Sequence, residues 1–368
     1  MKTYDYLIVG AGLFGSVCAY ELSRASKSCL VIDKRNHIGG NVYCESVNGI
    51  NVHKYGAHIF HTSNKTIWDY VNSFIEFNRY TNYPIANFKG KLFNLPFNMN
   101  TFYQMWGTIT PDAAKAKIEA EVAREKIGEP KNLEEKALSL VGRDIYETLI
   151  KGYTEKQWGC KCSELPPFII SRLPLRFTFD NNYFNDRYQG IPIGGYNKLF
   201  EKLLSNVDLK LNCDFFDNKE LANLTKRIIY TGPIDRLLDF KLGRLEYRGL
   251  HFDTRIEKTD NFQGSAVVNY TSSTVPYTRI IEHKHFESTP SNETIITYEY
   301  PKRYVEGAEP YYPINNPRND ALYANYENEI KKTHKFILGG RLATYKYLDM
   351  HCVIQSALET VNALLKNN

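Results

Sequence analysis

The sequence contains no CxxC pair. Its seven cysteines, Cys18, Cys29, Cys44, Cys160, Cys162, Cys213 and Cys352, are odd in number and scattered. A zinc ribbon and a thioredoxin-like disulfide are therefore excluded, and the set reads as reduced thiols of a cytoplasmic protein. No run approaches the roughly 20 consecutive apolar residues that a membrane-spanning helix needs. The opening "MKTYDYLIVGAG" has a short apolar run, no basic lead-in and no small-residue cleavage site, so no signal peptide is expected. Basic residues form no block: 46 Lys and Arg are spread along the chain, and the net charge is only +5. A nucleic-acid binder would concentrate them, whereas a small anionic substrate fits this distribution. Internal repeats and low-complexity segments are absent too. What is present is 368 residues, 43% of them hydrophobic, enough for more than one domain. The chain is rich in aromatics, with 27 Tyr and 20 Phe, most of which must be core while some can serve as stacking platforms.

The clearest motif lies at the start. In "YLIVGAGLFGSVCAY" a buried-type strand (residues 4–9) runs into Gly10, Gly12 and Gly15, then a helix over residues 13–25 and a second strand over 28–32. Gly10 permits the tight turn, Gly12 lets backbone approach a pyrophosphate, and Gly15 lets helix and strand pack closely. The helix N-terminus offers free N–H groups and partial positive charge to phosphates. Asp33 ends the second strand, where a ribose hydroxyl is held. A lone GxGxxG is a weak signal; the strand before it, the helix after it and Asp33 make it a dinucleotide site. The following "KRNHIGGN", with Arg35 and then Gly39-Gly40, resembles the extended fingerprint of the FAD-binding glutathione-reductase-like superfamily, amine-oxidase branch, although that group usually has Glu where Asp33 stands. "FILGGRLATYKYLDM" near the other end reads as strand, loop and a helix from about Met350, and "RIIYTGP" as a strand ending at Thr231-Gly232. No second GxGxxG occurs, so no dedicated NADPH site is expected.

Periodicity divides the chain. "NKTIWDYVNSFIEF" (64–77) carries Ile67, Val71, Phe74 and Ile75 at helical spacing, and "ANFKGKLFNL" (86–95) reads as a hairpin around Lys89-Gly90. Residues 100–160 turn helical: a helix over 111–127, another over 133–141 that starts at Asn132 and stops at Gly142, and a third over 143–158. Helical character returns over 194–204, followed by a short strand over 208–211. Residues 245–300 show short alternating runs that read as an antiparallel sheet. The expected fold class is α/β (α+β overall): a discontinuous FAD-binding Rossmann domain (1–78, 190–235 and 318–368), an inserted helical bundle (79–180) and an antiparallel β-sheet domain (181–189 and 236–317).

Arginines and aromatics interleave as candidate ligands of a diphosphate and its rings: Tyr153, Trp158, Arg172, Tyr183, Arg248, Arg279, Tyr312 and Tyr347. Taken singly, each arginine reads as a surface or ion-pair residue and each tyrosine as core; spacing alone does not bring them together. His58 and His61 form HxxH, but without a third ligand pattern no metal is expected.

The strings "HKYGAHIFHT", "LFNLPFNMNTF", "LIKGYTEKQWG", "RFTFDNNYFNDRYQGIP", "PYTRIIEHKHF", "EPYYP" and "YKYLDM" closely resemble the bacterial UDP-galactopyranose mutase family over nearly the whole chain. The resemblance implies a redox-neutral isomerase that interconverts UDP-galactopyranose and UDP-galactofuranose, with N5 of reduced FAD attacking the anomeric carbon. It further implies a cytoplasmic homodimer, without nucleic-acid or membrane partners, that supplies galactofuranose for cell-surface polysaccharide. Matched motif by motif, Arg172 corresponds to a mobile-loop arginine over the diphosphate, Arg279 to a fixed one near the flavin, and His61 to a residue facing flavin and sugar. Asn82, Tyr153, Thr154, Trp158, Tyr183, Arg248, Asn269, Tyr312 and Tyr347 correspond to substrate contacts. The implied cofactor contacts are Gly10, Gly12, Leu13, Phe14, Gly15, Asp33, Lys34, Arg35, Gly39, Gly40, Asn41, His58, Ile59, Thr231, Gly232, Arg341, Asp349 and Met350. An oxygen-consuming FAD oxidase of the amine-oxidase type and a non-catalytic nucleotide-binding module are the alternatives; net redox balance separates the first, and a colourless or inert protein would mark the second.

Overall fold

The computed structural model describes residues 2–170 and 175–366; Arg172 lies outside them. Tyr6–Val9 and Cys29–Ile32 are nearly continuous apolar runs, almost wholly buried, as strands covered on both faces must be. They pair in parallel, Leu7 opposite Leu30. The helix Leu13–Arg24 crosses between them and buries Phe14, Val17, Cys18 and Leu22. The C-terminal helix Met350–Lys366 packs on it through Ile354, Ala357 and Val361. Three further strands complete a five-stranded, fully parallel sheet in the order Phe336–Leu338, Arg227–Tyr230, Tyr6–Val9, Cys29–Ile32, Asp208–Lys210. This one sheet draws on three separated stretches of chain.

Between Met99 and Trp158 the chain is helical: Met99–Trp106, Pro111–Glu125, Leu133–Ile145 and Lys151–Trp158, the last preceded by a π turn at Tyr146–Ile150. Asn98, Thr110 and Asn132 cap the first three through their side chains, the last being the start expected from the sequence. Gly142 has φ +72° and breaks the third helix where expected; a side chain there would drive into Glu121 of the neighbouring helix. Phe102, Ile118, Leu138 and Ile145 form the centre of this block's core.

A seven-stranded sheet covers the remaining side, in the order Tyr312–Pro313, Tyr247–Glu257, Thr294–Arg303, Arg279–Glu282, Val267–Tyr270, Ile85–Phe88, Lys91–Asn94. Two assignments from sequence change here. The hairpin at 85–94, grouped by position with the helical stretch 79–180, joins this sheet, because Ile85–Phe88 hydrogen-bonds to Val267–Tyr270. That pairing is parallel, so the sheet is mixed rather than purely antiparallel. Likewise Tyr188–Gly190, at the junction drawn between 181–189 and 190–235, pairs with Phe60–Thr62 and not with the large sheet. Both pairings are long-range, and local alternation carries no information about the partner.

Candidate functional site

A cavity of about 1540 Å³ opens along the C-terminal ends of the parallel strands. Its floor is the glycine loop. A Cβ on Gly10 would strike Thr231, and one on Gly15 would strike the Gly10 carbonyl, so neither position admits a side chain. Gly12 faces Gly40 across the cavity, and a Cβ on Gly40 would lie 3.0 Å from the Gly12 Cα. The helix that starts at Leu13 has no side-chain cap, which leaves its first N–H groups free for an anion. Asp33 is buried and does more than wait for a ribose: Oδ2 accepts from the Ala11 N–H at 2.8 Å and Oδ1 from the Arg35 N–H at 2.9 Å. Each oxygen retains a second lone pair for a hydroxyl.

Arg35 donates through Nη2 to Asn41 at 2.9 Å and to Glu309 at 3.0 Å, and lies over the Tyr55 ring. Its Nη1 is buried without a partner among the described residues. Lys34 contacts the other Glu309 oxygen at 2.7 Å. Burial works to raise the Glu309 carboxyl, but Arg35 and Lys34 outweigh it and hold it below the usual range. The cavity wall also includes Leu13, Phe14, Gly39, Asn41, His58, Thr231, Gly232, Arg248, Arg341 and Met350. A glycine cradle, an uncapped helix start and an orphaned guanidinium nitrogen together fit a bound dinucleotide.

A second, narrower cavity of about 100 Å³ shares Asn41, His58 and Arg341 with the first. Its other walls include Arg279, Glu299, Tyr312 and Tyr347. Strand register explains the grouping: Asn269 pairs with Arg279, and Arg279 with Glu299, so the three lie in one row across the sheet. Arg279 Nε sits 3.0 Å from Glu299 Oε1, off the hydrogen-bonding direction, and Nη2 donates to the Tyr153 hydroxyl at 3.2 Å. Burial opposes the guanidinium charge; Glu299, together with Tyr153, Tyr312 and Tyr347, outweighs it, so Arg279 is a fixed cation. Burial and then the nearby Arg341 push His58 down to about 4, so its ring is neutral at pH 7. Tyr347 is 59% exposed at the rim, 5.7 Å from Tyr312 and beneath Arg341.

The other sequence candidates lie around these walls. Arg248 is buried and donates to the Gln157 carbonyl at 2.9 Å, tying the large sheet to the helix that carries Tyr153, Thr154 and Trp158. Asn82 and Asn269 each bury an Oδ1 that has no partner among the described residues. The Tyr183 N–H donates to the Asn82 carbonyl at 2.8 Å, and the Tyr183 side chain is exposed. Ile59 packs in a small apolar cluster with Ile191 and Phe286. His61 lines neither cavity: its Nδ1 is 2.6 Å from Asp186 and its ring stacks on Phe184. Sequence reading missed Glu299, Glu309 and Asp186. Glu299 stands within the alternating "TIITYEY" run, where nothing sets it apart until the register is known.

A family model for UDP-galactopyranose mutase matches residues 148–347, and one for an NAD(P)-binding Rossmann-like domain matches 8–74. The chain is 40% identical to the "Probable UDP-galactopyranose mutase" of Klebsiella pneumoniae, over 100% of this chain and 96% of that one. It is 37% identical to the dTDP-fucopyranose mutase of Escherichia coli, over 98% of each. A crystal structure of reduced UDP-galactopyranose mutase superposes with TM-score 0.76 at 14% identity, covering 100% of this chain and 95% of that one. Putrescine oxidase reaches TM-score 0.54 at 10% identity over 99% of both chains, a likeness of fold alone. Two-fifths identity along the full length, together with the family match over more than half the chain, makes this protein a member of the UDP-galactopyranose mutase family.

Proposed function

We propose that the chain binds FAD in the large cavity and, with the flavin reduced, interconverts UDP-galactopyranose and UDP-galactofuranose. The observation that carries this reading is the junction of the two cavities, where a fixed guanidinium, Arg279, stands beside the neutral His58. Reduced flavin, when bound, supplies the nucleophile and recovers it, so no external reductant is consumed per turnover. The chain's own residues position and hold. Asp33 takes the ribose, the uncapped helix start and Arg35 take the cofactor's diphosphate, and Asn41 and Arg341 border the flavin end. Arg279, kept charged by Glu299 and oriented by Tyr153, holds the nucleotide diphosphate that leaves the sugar and returns to it. Tyr312 and Tyr347 close over it, and His58, being neutral, adds no charge to compete with Arg279. Arg172, outside the described residues, is assigned the second diphosphate contact on the strength of its motif. Family membership also supports a cytoplasmic homodimer feeding polysaccharide assembly.

A second substrate is favoured by one specific observation: the 37% identity to a dTDP-fucopyranose mutase, close to the 40% of the galactose relative. One experiment addresses both. The dithionite-reduced holoenzyme is incubated without oxygen with UDP-galactopyranose and, separately, with dTDP-fucopyranose, and products are separated by chromatography. The expected result is furanose from the UDP sugar, only when the flavin is reduced. Equal rates with oxidised flavin, or a chain that purifies without flavin, would overturn the reading; furanose from the dTDP sugar alone would reassign the substrate.

A further inference from the structure

One cluster of side chains lines neither cavity, although the family resemblance sets two of its members, His61 and Asp349, near the flavin. His61, on the strand Phe60–Thr62, meets Asp349 and His351 at the start of the helix Met350–Lys366. One ligand atom from each lies within 4.8 Å of the other two. We propose that His61, Asp349 and His351 form a binding site for a first-row divalent transition metal such as zinc.

Three observations point to a metal rather than a chance grouping. First, Asp186 is 2.6 Å from His61 Nδ1, and its other oxygen accepts from the Ser63 hydroxyl at 2.6 Å. A carboxylate that receives the Nδ1 proton fixes the tautomer and leaves Nε2 as a free lone pair, which is how metal-ligating imidazoles are held. Second, His351 Nδ1 is buried and has no hydrogen-bond partner among the described residues. A buried ring nitrogen left unpaired is costly unless something fills the place. Third, the Asp349 carboxylate brings one oxygen within 4.8 Å of a ring nitrogen of each imidazole. Two imidazoles and one carboxylate form a donor set for zinc, cobalt or nickel, not for magnesium or calcium, which favour all-oxygen shells.

Three protein ligands leave a fourth position for water. Metal–nitrogen bonds of about 2.0–2.1 Å put tetrahedral ligands roughly 3.3 Å apart, so the donors need close by at most about 1.5 Å, within reach of side-chain rotation. The metal would clamp the strand that follows His58 to the helix that begins at Met350; His58 and Met350 themselves line the large cavity. Metal binding is measured without any sugar, so its outcome is read separately from the proposed activity.

The test uses the flavin-loaded protein, stripped with chelator and equilibrated by dialysis against Zn²⁺, Co²⁺ or Mg²⁺, with bound metal measured directly. One Zn²⁺ or Co²⁺ per chain and no retained Mg²⁺ is expected, with Co²⁺ giving visible bands beyond the flavin absorption. His351→Ala should abolish binding. Asp186→Asn should weaken it roughly 10–100-fold, the usual cost of removing a partner behind a ligand. Flavin content and circular dichroism confirm that each variant is folded, and His351→Gln replaces His351→Ala if that variant is not. No binding by the parent protein, or Zn²⁺ retained equally by a His61→Ala/His351→Ala double variant, would overturn the proposal and leave only the contact between His61 and Asp186.

Discussion

Replacing Glu299 by Gln removes a charge and almost nothing else. The Glu299 side chain is 2% exposed and that of Arg279 is 23% exposed, with 3.0 Å between the facing atoms. At that distance two unit charges attract by about 5.5 kcal/mol at an effective dielectric of about 20 and by about 1.4 kcal/mol in bulk water. One partner is fully buried and the other is reached by water along one edge, so the attraction falls between these limits. Nε of Arg279 is misaligned for a hydrogen bond, so the amide retains little directional interaction. The remaining Arg279 cation then loses its main compensation for burial. A destabilisation of about 2–3 kcal/mol follows, at the low end of what breaking a buried pair costs. The assay is urea unfolding of the holoenzyme, read as a lower midpoint at unchanged slope. A variant within about 0.5 kcal/mol of the parent, a range typical of surface changes, would show that water already screens the pair, and the account of Arg279 as a charge held in place by its neighbour would fail.

Other consequences are equally open to measurement. Arg279→Ala should lower kcat/KM by an amount equivalent to about 2–5 kcal/mol, the cost of deleting one member of a buried charge-assisted contact; kinetics close to the parent's would remove its role. Gly15→Ala forces a methyl group onto the Gly10 carbonyl, so the purified variant should lose its yellow colour, and an unchanged flavin-to-protein absorbance ratio would contradict the cradle. Burial holds His53 well below the usual histidine range and His283 at about 3. Both are depressed in the folded state, so their contribution is complete above about pH 6.5 and is lost as pH falls below it. These two groups should therefore remove up to about 2.7 kcal/mol of stability per pH unit below that point, His58 adding to the slope, with His283→Gln reducing it; a flat profile between pH 6.5 and 4.5 would refute it.

What could be read from the sequence was what is local. The first strand, the glycine loop, its helix and the second strand are contiguous, and their chemistry appears in one line of text. The stop at Gly142 and the cap at Asn132 are legible for the same reason. Arg279 stood out only by family likeness, because its neighbours Asn269 and Glu299 are ten and twenty residues away and meet it through strand register. His61 illustrates the converse: an HxxH motif suggests one site for both histidines, yet His58 lies in the loop before the strand Phe60–Thr62 and His61 on the strand itself. His58 therefore borders the cavity, while His61 leans on Asp186. The parallel contact between Val267–Tyr270 and Ile85–Phe88 leaves no trace in either segment alone.

The parallel sheet imposes an order on biosynthesis. Tyr6–Val9 leaves the ribosome early but lies against Arg227–Tyr230, which in turn awaits Phe336–Leu338. During most of translation the glycine loop therefore has only its immediate partner strand beside it, and Thr231, which closes under Gly10, has yet to be made. Flavin has no finished pocket to enter until the last of these segments emerges, so cofactor capture is a late event, and the nascent chain must keep a bare apolar strand edge from aggregating in the meantime.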